Sequence, residues 1–505
     1  MTRALLWFAL PALLIPAMLA GQGEPKDTGA TKAPPKPEQF VTRHTIVVGG
    51  KSITYTATAG TLILRDKDAE PIASMGYIAY IESDVKDPSA RPITFAYNGG
   101  PGSSSLWLHM GALGPRRIVV TDAGPTPPPP YRVVDNASTL LDRSDLVMID
   151  PVGTGVSKAV GKKKDKDFWG TDPDIEEVSR FIRQYVTDNG RWNSPKYLLG
   201  ESYGTTRSAG VVDYLQSRMG MSFNGVVLVS VALDVEAIFN WRGNDRPFPL
   251  FLPTYAATSW YHKVLPDRPA ALDPFLEQAR AWALGPYTAA LMKGDQLTSK
   301  EEDSIATGLR YFTGLSVDYL KKANLRVTEG EYTAELLREH GETVGRLDSR
   351  FTGVMFDQLT QNAEYDPQSA AIEDAFTAAF LDYYHKDLGV PADHDYKISA
   401  DVGEPWDWKH RAPDGSHQMM VNTGPDLAHA LEFNPNLHVL VLNGRFDLAT
   451  PFLATEYMIG HLELPPALRP HVVMKYYDAG HMMYVNEEAL RRMKADIAQL
   501  FGGGP

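Results

Sequence analysis

The 505-residue sequence contains 43% hydrophobic and 22% charged residues, the composition of a globular protein with room for one large core or two. Its formal net charge of −13 argues against nucleic acid or an anionic membrane surface as partner, because phosphate binding needs clustered Lys and Arg. The sequence has no cysteine, which excludes disulfide bonds, thiolate chemistry and iron–sulfur clusters.

The N-terminus has the features of an export signal. Arg3 precedes an apolar run over residues 4–19, and small residues follow it, so we predict a secretory signal peptide over residues 1–20 and a secreted or periplasmic protein. The run is short and contains two prolines, which argues against a stable membrane-spanning helix; an uncleaved N-terminal anchor is the alternative. Residues 21–40 are polar and proline-rich and predict a disordered linker.

Residues 41–236 predict the first part of an α/β core. Apolar and β-branched runs bounded by turn residues, typical of strands, occur at residues 44–48, 52–58, 75–81, 91–97, 145–150 and 225–231. The first two runs are joined by Gly49-Gly50, which predicts a hairpin. Residues 174–185 have helical spacing with an acidic first turn.

A glycine-rich loop follows the strand predicted at residues 91–97. It begins Asn98-Gly99-Gly100 and continues with small and hydroxyl residues to Ser105. Such a loop leaves backbone N–H groups free to point at one place, which suits an anion or an oxyanion. An ordinary flexible loop is the alternative. A second glycine pair, in Gly153-Thr154-Gly155, lacks the third glycine and the helix of a dinucleotide-binding fingerprint, so we predict no nucleotide site there.

The sequence around Ser202 predicts a strand, a sharp turn and a helix. Residues 196–199 supply the strand, Gly200 and Gly204 flank Ser202, and residues 205–215 alternate small and apolar residues. The two glycines permit a turn tight enough to expose the serine hydroxyl at the top of a sheet. We therefore predict Ser202 as a nucleophile.

Residues 237–430 change in character to helical patterns with few strand runs. Thr298 and Glu301, for example, have the spacing of a capping box at a helix start. This segment is too long for a crossover connection, so we predict a mainly helical insertion that caps the sheet and shapes a pocket. Its tryptophans, among them Trp406 and Trp408, are assigned to the core and to no functional role.

Residues 431–505 predict the second part of the core, with strands at residues 437–442 and 472–476. Asp447 and His481 each follow one of these strands, at the strand ends where doubly wound sheets hold their sites. A serine nucleophile needs a base, and the base needs an acid to fix its tautomer and stabilise its cation. We assign these roles to His481 and Asp447; Asp478 is the competing acid.

Five motifs in this order resemble the serine carboxypeptidase family over roughly residues 90–235 and 435–490. They are Asn98-Gly99-Gly100-Pro101-Gly102-Ser103-Ser104, Pro151-Val152-Gly153-Thr154-Gly155-Val156-Ser157, Gly200-Glu201-Ser202-Tyr203-Gly204, Gly444-x-x-Asp447-x-x-x-Pro451 and Gly480-His481-Met482. The resemblance implies an α/β-hydrolase fold, with a mostly parallel central sheet flanked by helices and the large helical insertion as a cap. It also implies a hydrolase that removes single residues from peptide C-termini.

The resemblance further implies the site residues around the triad. The backbone N–H groups of Gly100 and Tyr203 would form the oxyanion hole, while Asn98, Gly99 and Glu201 would hold the substrate's terminal carboxylate. A carboxyl group beside the nucleophile repels an anionic terminus unless the two share a proton, so we expect binding to favour acidic pH.

The sequence departs from the family pattern at two binding positions. The family commonly has a tryptophan two residues before the asparagine, where this chain has Ala96, and its Glu-Leu-Gly-Pro is here Ala112-Leu113-Gly114-Pro115. These changes leave the Ser202, Asp447 and His481 motifs intact and bear on the strictness of exopeptidase specificity.

The expected function is a serine-type carboxypeptidase that acts on peptides or small proteins with a free C-terminus through an acyl-enzyme. We expect no metal or cofactor requirement, because the sequence has no metal-ligand cluster or cofactor fingerprint. The alternatives are an esterase or acyltransferase that uses the same triad, and a non-catalytic binding protein on a retained hydrolase fold.

Overall fold

The computed structural model describes residues 36–403 and 405–502. The predicted signal peptide and most of the predicted linker lie outside the described residues. The first strand begins at Gln39, so the linker prediction to residue 40 is wrong at its end. Residues 39 and 40 are paired with the next strand, and that pairing outweighs the polar composition around them.

The strands are β1 Gln39–Val48, β2 Lys51–Arg65, β3 Pro71–Glu82, β4 Ile93–Tyr97, β5 Arg116–Ile118, β6 Val133–Asp135, β7 Asp145–Ile149, β8 Lys158–Ala159, β9 Lys196–Ser202, β10 Gly225–Val231, β11 Glu342–Val344, β12 Thr352–Val354, β13 His410–Arg411, β14 His417–Gln418, β15 His438–Gly444 and β16 Val472–Tyr477. The α-helices are α1 Leu106–Leu108, α2 Thr171–Asp188, α3 Tyr203–Met219, α4 Pro247–Tyr261, α5 Leu272–Trp282, α6 Thr288–Leu291, α7 Ser299–Thr313, α8 Val317–Lys322, α9 Glu329–Glu335, α10 Pro367–Lys386, α11 Gly424–Phe433, α12 Phe452–Gly460 and α13 Glu487–Leu500.

The central sheet has the strand order β1-β2-β3-β7-β4-β9-β10-β15-β16, with β8 paired to β3. Strands β7 to β16 along this path run parallel, whereas β1, β2 and β3 form an antiparallel edge. The buried parallel strands are nearly continuous apolar runs because helices cover both faces. The predicted α/β-hydrolase fold is confirmed.

Successive residues of each central strand enter different cores. In β4, Phe95 and Tyr97 face a core that α2 and α3 complete, while Ala96 faces a core that α10 and α13 complete. This alternation follows from the two-residue period of a strand. Helices therefore cover both faces of the sheet, and the loops at the ends of its strands remain accessible to form a site.

Helices α4 to α11 lie between β10 and β15; α4 to α10 fall within the segment predicted as a helical insertion, and α11 extends three residues beyond its predicted end at residue 430. Residues of α4 and α7 belong to the core on the α2 and α3 face, and residues of α10 belong to the core on the other face. The segment thus shares both apolar cores with the sheet. None of the described helices combines the length and apolar character needed to cross a membrane.

Candidate active site

The predicted site residues meet at the carboxyl ends of the parallel strands. A cavity of about 310 Å³ opens there, and Ser202 and His481 both line it. Five other predicted residues also line it: Asn98, Gly99, Gly100, Glu201 and Tyr203. Asp447 is buried behind His481. Parallel strands end at one edge of a sheet, which is why loops far apart in the sequence converge.

Ser202 lies on a strained turn between β9 and α3. Its φ of 60° and ψ of −130° are uncommon for a residue with a side chain and cost of order 1–3 kcal/mol. A Cβ atom at Gly200 would lie 2.1 Å from the Gly204 carbonyl oxygen, so this turn closes only with glycine there. The predicted strand, turn and helix are all present, and the serine is directed into the cavity.

His481 and Asp447 form a buried hydrogen-bonded pair. The ring Nδ1 lies 2.9 Å from Asp447 Oδ2, and the Thr450 hydroxyl donates to the same oxygen at 2.6 Å. Asp447 Oδ1 accepts from the N–H groups of Ala449 and Thr450. Asp478 instead lies at the surface, in an ion pair with Arg445. The carboxylate that meets the imidazole is therefore Asp447.

The backbone and charge of His481 are both controlled by its surroundings. Its N–H donates to the Leu347 carbonyl and its own carbonyl accepts from the Ser230 hydroxyl. Burial by itself lowers the pKa of His481, but Asp447 and, more weakly, Glu201 outweigh that effect, so the pKa lies above its ordinary value. The described hydrogen bonds include none between Ser202 and the ring, and such bonds often shorten only when substrate binds.

The glycine loop after β4 lies against the start of α3. A Cβ atom at Gly99 would meet the backbone nitrogen of Tyr203 at 2.5 Å and that of Gly204 at 2.7 Å. Only glycine permits this approach, which brings the loop beside the first N–H groups of a helix, where unpaired donors favour negative charge. The loop and the elbow together make a surface of backbone donors beside Ser202.

Glu201 and Asn98 are polar residues that line the cavity beside these donors. Glu201 is only 3% exposed, and burial raises its pKa to about 7; Asp447 adds to the rise, while His481, Tyr484 and Asn98 oppose it. Among the described residues, Glu201 Oε2 has no hydrogen-bond partner. Asn98 Oδ1 accepts from the Leu108 N–H at 3.0 Å, so its remaining amide group is a donor suited to an anion.

Several residues of the cavity wall come from the helical insertion and were not identified from the sequence. Arg346 and Glu373 line the cavity, and no motif or spacing marks either of them. Trp408 packs against a small apolar cluster, as expected, but it also lines the cavity, which the sequence did not indicate. Trp406 packs against the Tyr203 ring at a centroid distance of 5.2 Å. These contacts depend on how the insertion folds back over the sheet.

The two family positions that differ in this chain are away from the cavity. Ala96 and Ala112 are buried in the core on the α10 and α13 face. Within residues 36–403 and 405–502, no cluster of three or more His, Asp or Glu side chains is arranged to hold a metal ion.

Comparison with known proteins gives one family match and several structural matches. Residues 69–224 match the serine carboxypeptidase family model, and this segment contains the glycine loop and the Ser202 elbow. No curated protein matches the sequence. Among solved structures, the prohormone-processing carboxypeptidase Kex1Δp of Saccharomyces cerevisiae is 16% identical, with a TM-score of 0.55 and coverage of 89% of this chain and 91% of that chain.

Two further solved structures are more distant. Proline iminopeptidase of Mycobacterium smegmatis is 14% identical, with a TM-score of 0.36 and coverage of 91% of this chain and 98% of that chain. A putative aryl esterase of Burkholderia cenocepacia is 13% identical, with a TM-score of 0.37 and coverage of 87% and 97%. The family match covers the strand, loop and elbow around Ser202, and this segment of the chain is similar to the serine carboxypeptidase family.

Proposed function

We propose that the protein releases C-terminal residues from peptides through an acyl-enzyme on Ser202. The Ser202 oxygen attacks the last peptide carbonyl, and His481 takes the hydroxyl proton and passes it to the leaving amine. In the second half, His481 activates a water that hydrolyses the ester, while Asp447 keeps the ring oriented. The observation that carries the proposal is the buried Asp447–His481 hydrogen bond behind a cavity that also holds the strained Ser202.

The oxyanion of the tetrahedral intermediate is held, in this proposal, by the N–H groups of Gly100 and Tyr203. The close approach of Gly99 to the start of α3 supports this, because it brings the two backbone segments together beside the nucleophile. Preorganised donors in a site that excludes water are among the largest contributions to catalysis.

Asn98, Gly99 and Glu201 recognise the free terminal carboxylate in this proposal. With its pKa raised to about 7, Glu201 keeps its proton in mildly acidic solution and can share it with a carboxylate. Peptide binding is then better near pH 5 than near pH 8.

The signal peptide expected from the sequence makes the protein, in this proposal, secreted or periplasmic.

The test is mass spectrometry of matched peptides incubated with the protein at pH 5 and pH 7.5, each peptide with a free and an amidated C-terminus. Stepwise loss of single residues from the free-terminus set alone is expected, with Ser202→Ala inactive. Cleavage of the amidated set at the same rate would overturn the carboxypeptidase proposal.

The second candidate is an esterase or acyltransferase that uses the same triad. It is favoured by Ala96 and Ala112, which replace two residues of the family's carboxylate network. Labelling of Ser202 by a fluorophosphonate together with cleavage of esters, but of no peptide, would establish it. Failure of the fluorophosphonate to label Ser202 would instead favour a non-catalytic binding protein.

A further inference from the structure

A buried ion pair lies beneath the proposed oxyanion hole. Arg207 of α3 and Asp174 of α2 are both fully buried. Arg207 Nε donates to Asp174 Oδ2 at 2.8 Å, and Nη2 donates to Oδ1 at 2.9 Å. This is the bidentate arrangement in which arginine gives both strength and directional precision. The pair therefore sets the position of one helix relative to the other.

Each partner of the pair also bonds to one of the two loops that supply the proposed oxyanion donors. Arg207 Nη1 donates to the Asn98 carbonyl at 2.7 Å, on the glycine loop. The Tyr203 hydroxyl donates to Asp174 Oδ2 at 3.2 Å, and the Tyr203 ring lies 5.4 Å from the guanidinium carbon. One ion pair thus connects the glycine loop to the elbow.

The same face of α2 reaches the Pro151–Ser157 motif, for which the reaction scheme has no role. Glu177 lies one turn after Asp174, and its Oε1 accepts from the Val152 N–H at 3.1 Å. Burial and the neighbouring Asp174 raise the pKa of Glu177, which favours its protonated form. Through α2, the ion pair is connected to a third loop at the same edge of the sheet.

Stability alone does not account for such a pair. Replacing a buried ion pair by apolar residues of similar volume is often neutral or stabilising, because the two charges lose their hydration. The Arg207–Asp174 pair lies next to both backbone segments of the proposed oxyanion hole, so a role in catalysis can explain why the pair is present. Loss of one oxyanion donor costs about 10²–10³-fold in kcat, and a displacement of about 1 Å can cost about 10²-fold.

We propose that Arg207 and Asp174 are positioning residues that hold the N–H groups of Gly100 and Tyr203 at the separation the tetrahedral oxyanion requires. This inference rests on the proposed function. The ion pair touches neither substrate nor reacting atoms, and it acts through the Asn98 carbonyl and the Tyr203 side chain. Its loss slows the chemical step more than it weakens ground-state binding of the peptide, because the Asn98 side chain is held separately by the Leu108 N–H.

The test compares Arg207→Lys with a matched control, Arg191→Lys. Arg191 is also buried, donates to the Asp145 carboxylate at 2.6 Å and donates to the Arg91 carbonyl at 2.8 Å. Asp145 is the first residue of β7, so it lies at the amino ends of the parallel strands, whereas the site lies at their carboxyl ends. Both variants keep the positive charge and lose the fork geometry, so both are expected to lower the melting temperature.

Only Arg207→Lys is expected to lower kcat on free-terminus peptides, by about 10²-fold with KM within about threefold. If Arg207→Lys does not fold, Tyr203→Phe removes only the hydroxyl bond to Asp174, leaves the backbone donor in place and is expected to lower kcat several-fold. Folded variants whose kcat stays within about threefold of the wild type, or an equal loss in Arg191→Lys, would overturn the inference.

A second measurement separates this inference from the proposed function. An alkyl fluorophosphonate reacts when Ser202 Oγ bonds to phosphorus, fluoride leaves and His481 takes the hydroxyl proton; the phosphoryl oxygen then occupies the oxyanion hole. Arg207→Lys is expected to slow this labelling by at least about tenfold, and Arg191→Lys is expected to leave it unchanged. A wild type that is labelled but cleaves no peptide refutes the carboxypeptidase proposal, and the labelling rates still decide whether Arg207 positions the hole.

Discussion

Glu201 illustrates how burial gives a single carboxyl group a specific protonation state. It is the second-last residue of β9, next to Ser202 at the elbow, and it is almost completely buried. Desolvation of the charged form raises its pKa to about 7, because the charges and hydrogen bonds of its neighbours offset the effect of burial only in part, and no described residue bonds to its Oε2. The same residue in a solvated turn would be ionised at neutral pH.

Glu201→Gln is expected to flatten the pH dependence of KM for peptides with a free C-terminus. In the wild type, Glu201 loses its proton as the pH rises through about 7, and KM rises because two carboxylates then face each other. Glutamine stays neutral throughout. Steady-state kinetics between pH 5 and pH 8.5 measure this, and a variant with the wild-type profile would contradict it.

The same substitution has an effect on stability with a defined sign. A carboxyl whose folded pKa is raised is neutral and harmless below its unfolded value, and it destabilises the protein increasingly as the pH rises from about 4.5 to about 7. We expect Glu201→Gln to raise the free energy of unfolding at pH 8 by up to roughly 3 kcal/mol, at 1.36 kcal/mol per pKa unit, and to leave it nearly unchanged at pH 4. Urea unfolding at the two pH values measures the difference; an equal gain at both would assign it to packing.

Asp447→Asn is expected to lower kcat by about 10⁴-fold without unfolding the protein. The amide retains the size of the carboxylate, but it favours the wrong imidazole tautomer and no longer stabilises the imidazolium. Asp478→Asn is the matched control, because Asp478 lies at the surface in an ion pair with Arg445. Its kcat is expected within about twofold of the wild type, and a large loss there would reverse the assignment of the acid.

At the scale of elements, strands and caps with strong local signals were predicted closely. The Gly49-Gly50 hairpin and the capping box of Thr298 and Glu301 are confirmed, because short-range backbone chemistry determines each of them. The small strands β11 to β14 were missed. They pair over two or three residues, which is too short for any hydrophobic period to appear in the sequence.

The β13–β14 hairpin is anchored by a histidine between two acids. The ring of His410 lies 2.6 Å from Asp172 Oδ1, at the start of α2, and 3.0 Å from Asp426 Oδ2 in α11. Burial alone lowers the pKa of His410, but the two carboxylates outweigh it and raise the pKa to about 9. This connection holds the segment that carries Trp406 and Trp408 beside the elbow.

His410→Gln is expected to destabilise the protein at pH 6 and to have little effect at pH 9.5. A histidine with a raised folded pKa contributes stability that is complete below its unfolded value of about 6.5 and is lost as the pH rises through about 9. We expect a loss of roughly 1 kcal/mol at pH 6, because Asp172 is half exposed and solvent screens the pair. Chemical denaturation at both pH values measures it; an equal deficit at the two would indicate lost packing.

At the scale of the whole molecule, loops that follow strands of the sheet carry the proposed catalytic residues, and the predicted helical insertion supplies much of the cavity wall around them. Trp408 and Arg346 line the cavity, and the backbone of His481 bonds to Leu347, which also belongs to the insertion. The insertion shares both apolar cores with the sheet, so the wall is held by packing. Because the cavity wall and the proposed catalytic residues come from different segments, we expect substitutions in the wall to change substrate preference without abolishing catalysis.

Trp408→Ala is expected to widen the cavity and shift preference towards peptides with bulky residues at the scissile bond. The kcat/KM ratio of bulky to small substrates should rise at least several-fold, since one methylene in an apolar pocket changes discrimination by about 10-fold or more. Peptide libraries varied in the last two positions measure this. Trp192→Ala, a half-exposed tryptophan before β9, is the control with unchanged preference.

The sequence alone determined the fold class, the resemblance to serine carboxypeptidases and the residues predicted to carry the reaction, because those signals are local. A strand that ends in Gly200-Glu201-Ser202 dictates its own turn, and the order of Ser202, Asp447 and His481 follows the order of the strands. Only the tertiary structure decided that Arg346 and Trp408 line the cavity and that Arg207 and Asp174 join two loops. These outcomes depend on burial and on contacts between segments far apart in the chain, which no local pattern encodes.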